Sequence, residues 1–288
     1  MDFRALAMGL VFALMWSSAF TSARMIVADA PPMTALALRF FVSGLIGVGL
    51  ASMMGQSWRL TRAQWRATFI FGLCQNALYL GLNFVAMTRV EASLAAIVAS
   101  TMPLMVAFFG WVLFREKLRP LALGGLLAGV VGVAIIMGGR LSGGADVGYV
   151  ALCFLAALAL TVATLSVRGA SSGGNVMMIV GLQMFVGAAL LAITALIFES
   201  WTINWTPRLI GAFAYTTLVP GVLATWVWFW LVGRIGAIKA ATFHFLNPFF
   251  GVAIAALLLG EKIAAADLLG VAIVTGGILA VQLSRQAR

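Results

Sequence analysis

Long apolar runs, each closed by a short polar stretch, dominate the chain. Ten of them fall at residues 5–27, 33–54, 67–87, 91–114, 121–138, 147–168, 175–198, 208–232, 237–259 and 264–283. A helix needs about 20 apolar residues to cross the hydrocarbon core of a bilayer, and each run is of that order. The runs are continuous and do not alternate, so they predict helices and not the strands of a membrane barrel. No connecting stretch is long enough for a soluble domain. The fold class expected is all-α integral membrane, with ten transmembrane helices.

The pattern also repeats. RVEASLAAIVASTMPLMVAFFGWVLFREK runs from Arg89 to Lys117, and RIGAIKAATFHFLNPFFGVAIAALLLGEK runs from Arg234 to Lys262. The offset, 234 − 89 = 145, aligns Arg89 with Arg234, Ala95 with Ala240, Ala96 with Ala241, Pro103 with Pro248, Glu116 with Glu261 and Lys117 with Lys262. It continues through Leu123 and Leu268, Gly125 and Gly270, and Gly132 and Gly277. Two five-helix units, 1–143 and 144–288, are expected. Five is odd, so the second unit must enter the membrane from the opposite side. The outcome is an inverted 5+5 repeat, a recurring build of secondary transporters whose substrate site lies between the halves.

Composition fits a lipid solvent: 63% of the 288 residues are hydrophobic and 9% charged, against roughly 25% charged in soluble domains. The net charge of +10 does not point to nucleic acid. The basic residues stand at the ends of apolar runs and build no basic patch. With the N-terminus inside, Arg4, Arg59, Arg62, Arg66, Arg115, Lys117, Arg119, Arg168, Arg234, Lys239, Arg285 and Arg288 face the cytoplasm. Arg24, Arg39, Arg89, Arg140, Arg208 and Lys262 face out. Twelve of the eighteen are therefore inside, and both termini are expected to be cytoplasmic. The first run is too long for a signal peptide and is read as an uncleaved first helix. Cys74 and Cys153 lie within apolar runs and read as small packing residues.

Polar residues inside the runs are the candidate chemistry. The first run carries Trp16, Ser17 and Ser18 near its centre. Gln75, Tyr79 and Asn83 in the third are spaced by four and share one helical face. An unpaired amide in lipid is costly, so this face either lines a cavity or bonds a neighbouring helix. Ser100, Met102 and Pro103 stand mid-run in the fourth segment, and Phe243, His244, Asn247 and Pro248 in the ninth. Each proline removes a backbone hydrogen bond near the midplane, and two at matched repeat positions suggest hinges. Trp226 and Trp230 share a face of the eighth segment, facing cavity or lipid interface. His244, the one histidine, is either a hydrogen-bonded packing residue or a titrating group of the site. Gly125 and Gly129, like other small residues, permit close helix packing.

Absences narrow the function. Asp2, Asp29, Glu91, Glu116, Asp146, Glu199, Glu261 and Asp267 all fall at segment ends or in loops. No buried acid is available for cation coupling or as counter-ion to a strongly cationic substrate. No Walker loop, GxSxG or His/Cys/Asp cluster is present. No enzymatic activity, cofactor or metal is expected.

Together, Trp16-Ser17 with Phe20, the mid-segment prolines and the Glu-Lys closing both repeats resemble the drug/metabolite transporter superfamily, EamA-like branch, over the whole chain. Within it the sequence resembles the bacterial aromatic amino acid exporters. It departs from many relatives in Trp-Ser, where Trp-Gly is usual, and in His244 and Asn247. The resemblance implies a multi-pass inner-membrane exporter with a central cavity, acting by alternating access without ATP. The substrate expected is a small amphipathic metabolite, foremost an aromatic or other neutral amino acid. Trp16, Ser17, Gln75, Tyr79, Asn83, Ser100, Met102, Trp226, Phe243, His244 and Asn247 are expected to line the cavity, with Pro103 and Pro248 as hinges. The lipid bilayer and the substrate are the expected partners, nucleic acid is not, and the chain is expected to act as a monomer. Rival readings are an exporter of drugs or lipophilic cations on the same fold, a lipid-modifying membrane enzyme, which would need a cluster of acids or histidines, and a channel.

Overall fold

The computed structural model describes residues 2–115, 117–166, 173–236, 240 and 242–286. Arg168, Lys239 and Arg288 of the charge map, and Glu116 and Ala241 of the repeat, lie outside the described residues. Among the described residues, ten helices are long and apolar enough to cross a membrane. They are α1 (Phe3–Val27), α2 (Pro32–Met53), α3 (Arg62–Ala86), α4 (Ala92–Phe114), α5 (Pro120–Ser142), α6 (Val147–Ser166), α7 (Val176–Phe198), α8 (Pro207–Ile235), α9 (Thr242–Leu259) and α10 (Ala265–Gln286). They match the ten apolar runs. The largest extension is at α3, which begins five residues before its run. There Thr61 accepts from the Gln64 amide while the Gln64 side chain accepts from the Thr61 amide, so a polar first turn is capped outside the apolar stretch.

Three pairs of helices five apart in order, α2 with α7, α4 with α9 and α5 with α10, pack on each other through small residues. A Cβ on Gly47 of α2 would lie 3.1 Å from Cα of Gly181 of α7. A Cβ on Gly251 of α9 would lie 2.5 Å from Cβ of Ala96 of α4. Between α5 and α10 the contact is reciprocal. A Cβ on Gly125 would meet the Gly277 carbonyl oxygen at 2.6 Å, and one on Gly132 would meet the Gly270 carbonyl oxygen at 2.8 Å. Gly270 and Gly277 are the repeat mates of Gly125 and Gly132, so each glycine touches the mate of the other. That register requires α5 and α10 to run antiparallel, and it is the contact pattern of a two-fold axis. Hydrocarbon gives apolar helices no reason to associate, so close backbone approach is what holds such pairs.

Four helices depart from regular α geometry, in two matched pairs. A turn at Thr101 splits α4 into Ala92–Ser100 and Met102–Phe114. In α9 a 3₁₀ turn over Thr242–Leu246 precedes Asn247–Leu259. Pro103 and Pro248 stand just after these breaks, where their missing N–H is least costly. Ser100 and Thr101 donate to the carbonyls of Ala96 and Val98, both at 2.6 Å. The other pair is π-helical: Gly72–Leu80 in α3 and Thr217–Leu223 in α8. Their first residues are also 145 positions apart. Wide turns of this kind recur at functional sites.

Ion pairs and caps tie the ends. Asp2 and Arg234 pair at 2.6 Å, placing the start of α1 and the end of α8 on one face; hydrogen bonding from Arg234 holds the Asp2 carboxyl below its ordinary range. The opposite, distal face is more heavily tied. Glu199 accepts from the amides of Met33 and Thr34 at 2.7 and 2.8 Å. Glu261, the acid of the second Glu-Lys, accepts from the amides of Ala92 and Ser93 at 2.7 and 3.0 Å. These carboxylates, after α7 and α9, thus close the N-termini of α2 and α4, where the helix dipole favours negative charge. Arg140 bridges Glu91 and Asp267, and Arg24 donates to the Met87 carbonyl. Asp29 accepts from Asn204 and Thr206.

Two outcomes test this frame. Gly132→Leu should lower stability by about 1–3 kcal/mol through overpacking, read as a lower unfolding temperature in detergent. Gly138→Leu, at a glycine with no such neighbour, should not. Glu261→Ala should cost about 1–3 kcal/mol through loss of charge-assisted caps, and hydrogen exchange should accelerate at the amides of Ala92 and Ser93.

Candidate functional site

An interior cavity lies between α1, α2, α3 and α8. Trp16, Phe20 and Ala23 line it from α1, Arg39 from α2, Gln75, Tyr79 and Asn83 from α3, and Pro220 from α8. Gln75, Tyr79 and Asn83, spaced by four in α3, all line this space. The π-helical turns put Gln75 and Tyr79 on one wall and Pro220 on another. The cavity volume is about 50 Å³. That holds a few water molecules, whereas sites for small organic ligands are roughly 300–1,000 Å³. Ala23 and Met87 line its distal side, and Arg24 donates to the Met87 carbonyl there.

Within the cavity Asn83 Nδ2 donates to the Tyr79 carbonyl at 2.8 Å. This fixes the amide's orientation and leaves its buried Oδ1 without a donor. Asn76, on the other face of the same turns, is absorbed by structure. Its Nδ2 donates to the Gln183 carbonyl of α7 at 2.9 Å.

A second polar group adjoins Trp16. Ser17 donates to Asn247 Oδ1 at 3.4 Å, and Asn247 Nδ2 lies 3.0 Å from His244 Nδ1. An amide nitrogen only donates, so His244 Nδ1 accepts and its proton is on Nε2. The imidazole meets Phe12 and Trp16 edge-on, with ring centres 5.2 and 6.1 Å apart, and Trp228 at 5.3 Å. The chain Ser17–Asn247–His244 thus joins α1 to α9 just beyond the break before Pro248.

The remaining expected residues are placed elsewhere. Ser100 is buried and bonded back to its own helix, and Met102 packs against the main core beside Pro103. Phe243 lies over Gly9, whose missing side chain makes room for the ring; a Cβ there would come within 2.3 Å of it. Trp226 is half exposed, with its ring tilted against that of Trp230 at 5.0 Å between centres. It lines a separate apolar groove between α2, α7 and α8, with Gly47, Met184 and Leu218.

One lining residue was assigned differently by the charge pattern. Arg39 is not an end anchor. It sits seven residues inside α2 and is 7% exposed, with its guanidinium at the cavity. The available signal was its separation from Pro32, which puts it two turns deep.

The EamA-like transporter family matches residues 3–138 and again 147–283. An uncharacterized transporter of Bacillus subtilis, YvbV, is 25% identical over 276 residues, covering 96% of this chain and 90% of its own. The aromatic amino acid exporter YddG of Ancylobacter novellus is 27% identical over 139 residues, 48% of each chain. The S-adenosylmethionine/S-adenosylhomocysteine transporter of Chlamydia trachomatis is 28% identical over 138 residues, 46% of this chain and 42% of its own. A solved crystal structure superposes over 100% of both chains with a TM-score of 0.69 at 22% identity, which shows a shared fold. With both halves matched and ten membrane helices in place, this chain is a member of the EamA-like transporter family.

Proposed function

We propose that the protein exports small amphipathic metabolites, foremost aromatic and other neutral amino acids, across the bacterial inner membrane by alternating access. The observation that carries this reading is the cavity shared by α1–α3 of the first half and α8 of the second, with aromatic rings and amides on its walls. Trp16 and Tyr79 offer apolar faces for a side chain; Gln75 and Asn83 offer hydrogen bonds to a polar head. Partial likeness to an aromatic amino acid exporter supports the substrate.

The halves act as an inverted repeat, 1–143 and 144–288, that rocks about the cavity. Reciprocal glycine packing of α5 on α10 supplies a pivot. The breaks at Thr101 and Leu246, with Pro103 and Pro248 after them, supply matched bending points. A cavity of this size must widen to hold an amino acid. Ser17, Asn247 and His244 stand behind Trp16 and hold its surroundings when α9 bends. The chain works as a monomer, with both termini in the cytoplasm and the distal face outside.

Counterflow in proteoliposomes tests the substrate. Labelled phenylalanine should exchange against internal phenylalanine and saturate; no exchange of any amino acid would overturn the assignment. Trp16→Ala and Tyr79→Ala should each cut exchange about tenfold, equivalent to ~1.4 kcal/mol, with expression retained. Orientation has its own test. Cysteine at Ser200, on the distal face, should react with an impermeant maleimide in intact cells, and cysteine at Arg59 should not. The two native cysteines are buried and free, so background labelling should be low.

A further inference from the structure

A charge inside a membrane protein costs several kcal/mol unless it is paired or hydrated. Arg39 is such a charge. It lies about 10 Å along α2 from the distal end, at 1.5 Å per residue, and stays a guanidinium at neutral pH. No carboxylate pairs with it among the described residues. The nearby distal acids are engaged: Glu199 by the amides of Met33 and Thr34, Asp29 by Asn204 and Thr206, and Glu91 by Arg140. The Arg39 Nε has no hydrogen-bond partner. Among the described residues its ring contact is with Phe40, 5.3 Å from the guanidinium carbon, which is a weak return for a buried cation.

The cationic group faces the cavity, and other unsatisfied groups stand near it. Ser43, one turn further along the same face of α2, has a buried Oγ without a partner. Nη2 of Arg39 and Oγ of Ser43 both approach the small residue Gly221 of the α8 π-helical turn; a Cβ there would lie 3.6 and 3.7 Å from them. Asn83 presents the unpartnered acceptor Oδ1. The cavity therefore holds a positive fork and an uncommitted acceptor beside the rings of Trp16 and Tyr79, while the Ser43 hydroxyl stands next to Arg39 at the edge of the neighbouring groove.

We infer that Arg39 is the carboxylate anchor of this cavity, so that the protein selects small carboxylate-bearing amphiphiles and rejects lipophilic cations. A guanidinium takes a carboxylate in two parallel hydrogen bonds. Asn83 Oδ1 accepts from an ammonium where the substrate has one, and the rings hold the apolar part. The inference rests on the cavity being the transport site, and it specifies the head group rather than the side chain.

The test compares matched probes on the full-length protein in detergent and in proteoliposomes: phenylalanine, phenylpyruvate, phenylalaninamide and phenethylamine. Thermal stabilisation and counterflow inhibition by the two acids should exceed those by the amide and amine at least tenfold, about 1.4 kcal/mol. Arg39→Gln should abolish that preference. Arg39→Lys, which keeps the charge and loses the fork, should keep the preference with weaker binding. The acid–amide comparison on the unaltered protein needs no variant and stands even where Arg39→Gln fails to fold. Equal binding of phenylalanine and phenylalaninamide, preference for acids in folded Arg39→Gln, or silence of the unaltered protein to both acids overturns the inference. Phenylalanine inactive with phenylpyruvate bound through Arg39 would overturn the amino acid assignment alone and leave the anchor in place.

Discussion

Hydrocarbon offers no partner to a backbone amide or carbonyl, and this one constraint orders the rest of the molecule. It forces the ten apolar runs into helices. It also dictates where irregularity is tolerated. The breaks at Thr101 and Leu246 and the wide turns from Gly72 and Thr217 occur where neighbouring helices can shield them. At Thr101 the hydroxyls of Ser100 and Thr101 occupy carbonyls of the preceding turn. Two of the four departures, the wide turns of α3 and α8, lie on the walls of the cavity. Both follow from the same requirement that non-helical backbone be buried in protein.

The duplication gives that requirement a symmetric answer. Gly125 against Gly277 and Gly132 against Gly270 bring two backbones within the reach of one missing side chain. Such a contact has no room to slide, but it can turn. The side chains around the cavity are not symmetric: Trp16, Arg39, Gln75, Tyr79 and Asn83 all come from the first half, and Pro220 from the second. The frame is shared between halves while the polar chemistry is concentrated in one.

The helices were legible because a run of about 20 apolar residues has one stable outcome in lipid. The α3 face was legible because a spacing of four survives the change from α to π geometry closely enough to keep Gln75, Tyr79 and Asn83 on one wall. The π-helical turns themselves left no trace in the hydrophobic pattern, since polar and apolar residues there are spaced as in an ordinary helix. Arg39 was misplaced for a related reason. One arginine near a helix start looks like an interfacial anchor, and only packing reveals that it points inward. Trp226 shares a face with Trp230, as its spacing says, yet spacing along one helix cannot say which neighbour that face meets; it meets the groove by α2 and α7. The paired Glu-Lys was visible as a repeat but silent about purpose, because the amides that Glu261 receives belong to a helix far earlier in the chain.

That separation bears on biogenesis. Ala92 precedes Glu261 by 169 residues, and Met33 precedes Glu199 by 166. As the ribosome extends the chain, α2 and α4 enter the bilayer with their first amides still open to water at the distal surface. They remain open until the segments after α7 and α9 emerge. The early half of the protein is therefore finished by the late half, and the segments after α7 and α9 act as the latch that completes α2 and α4.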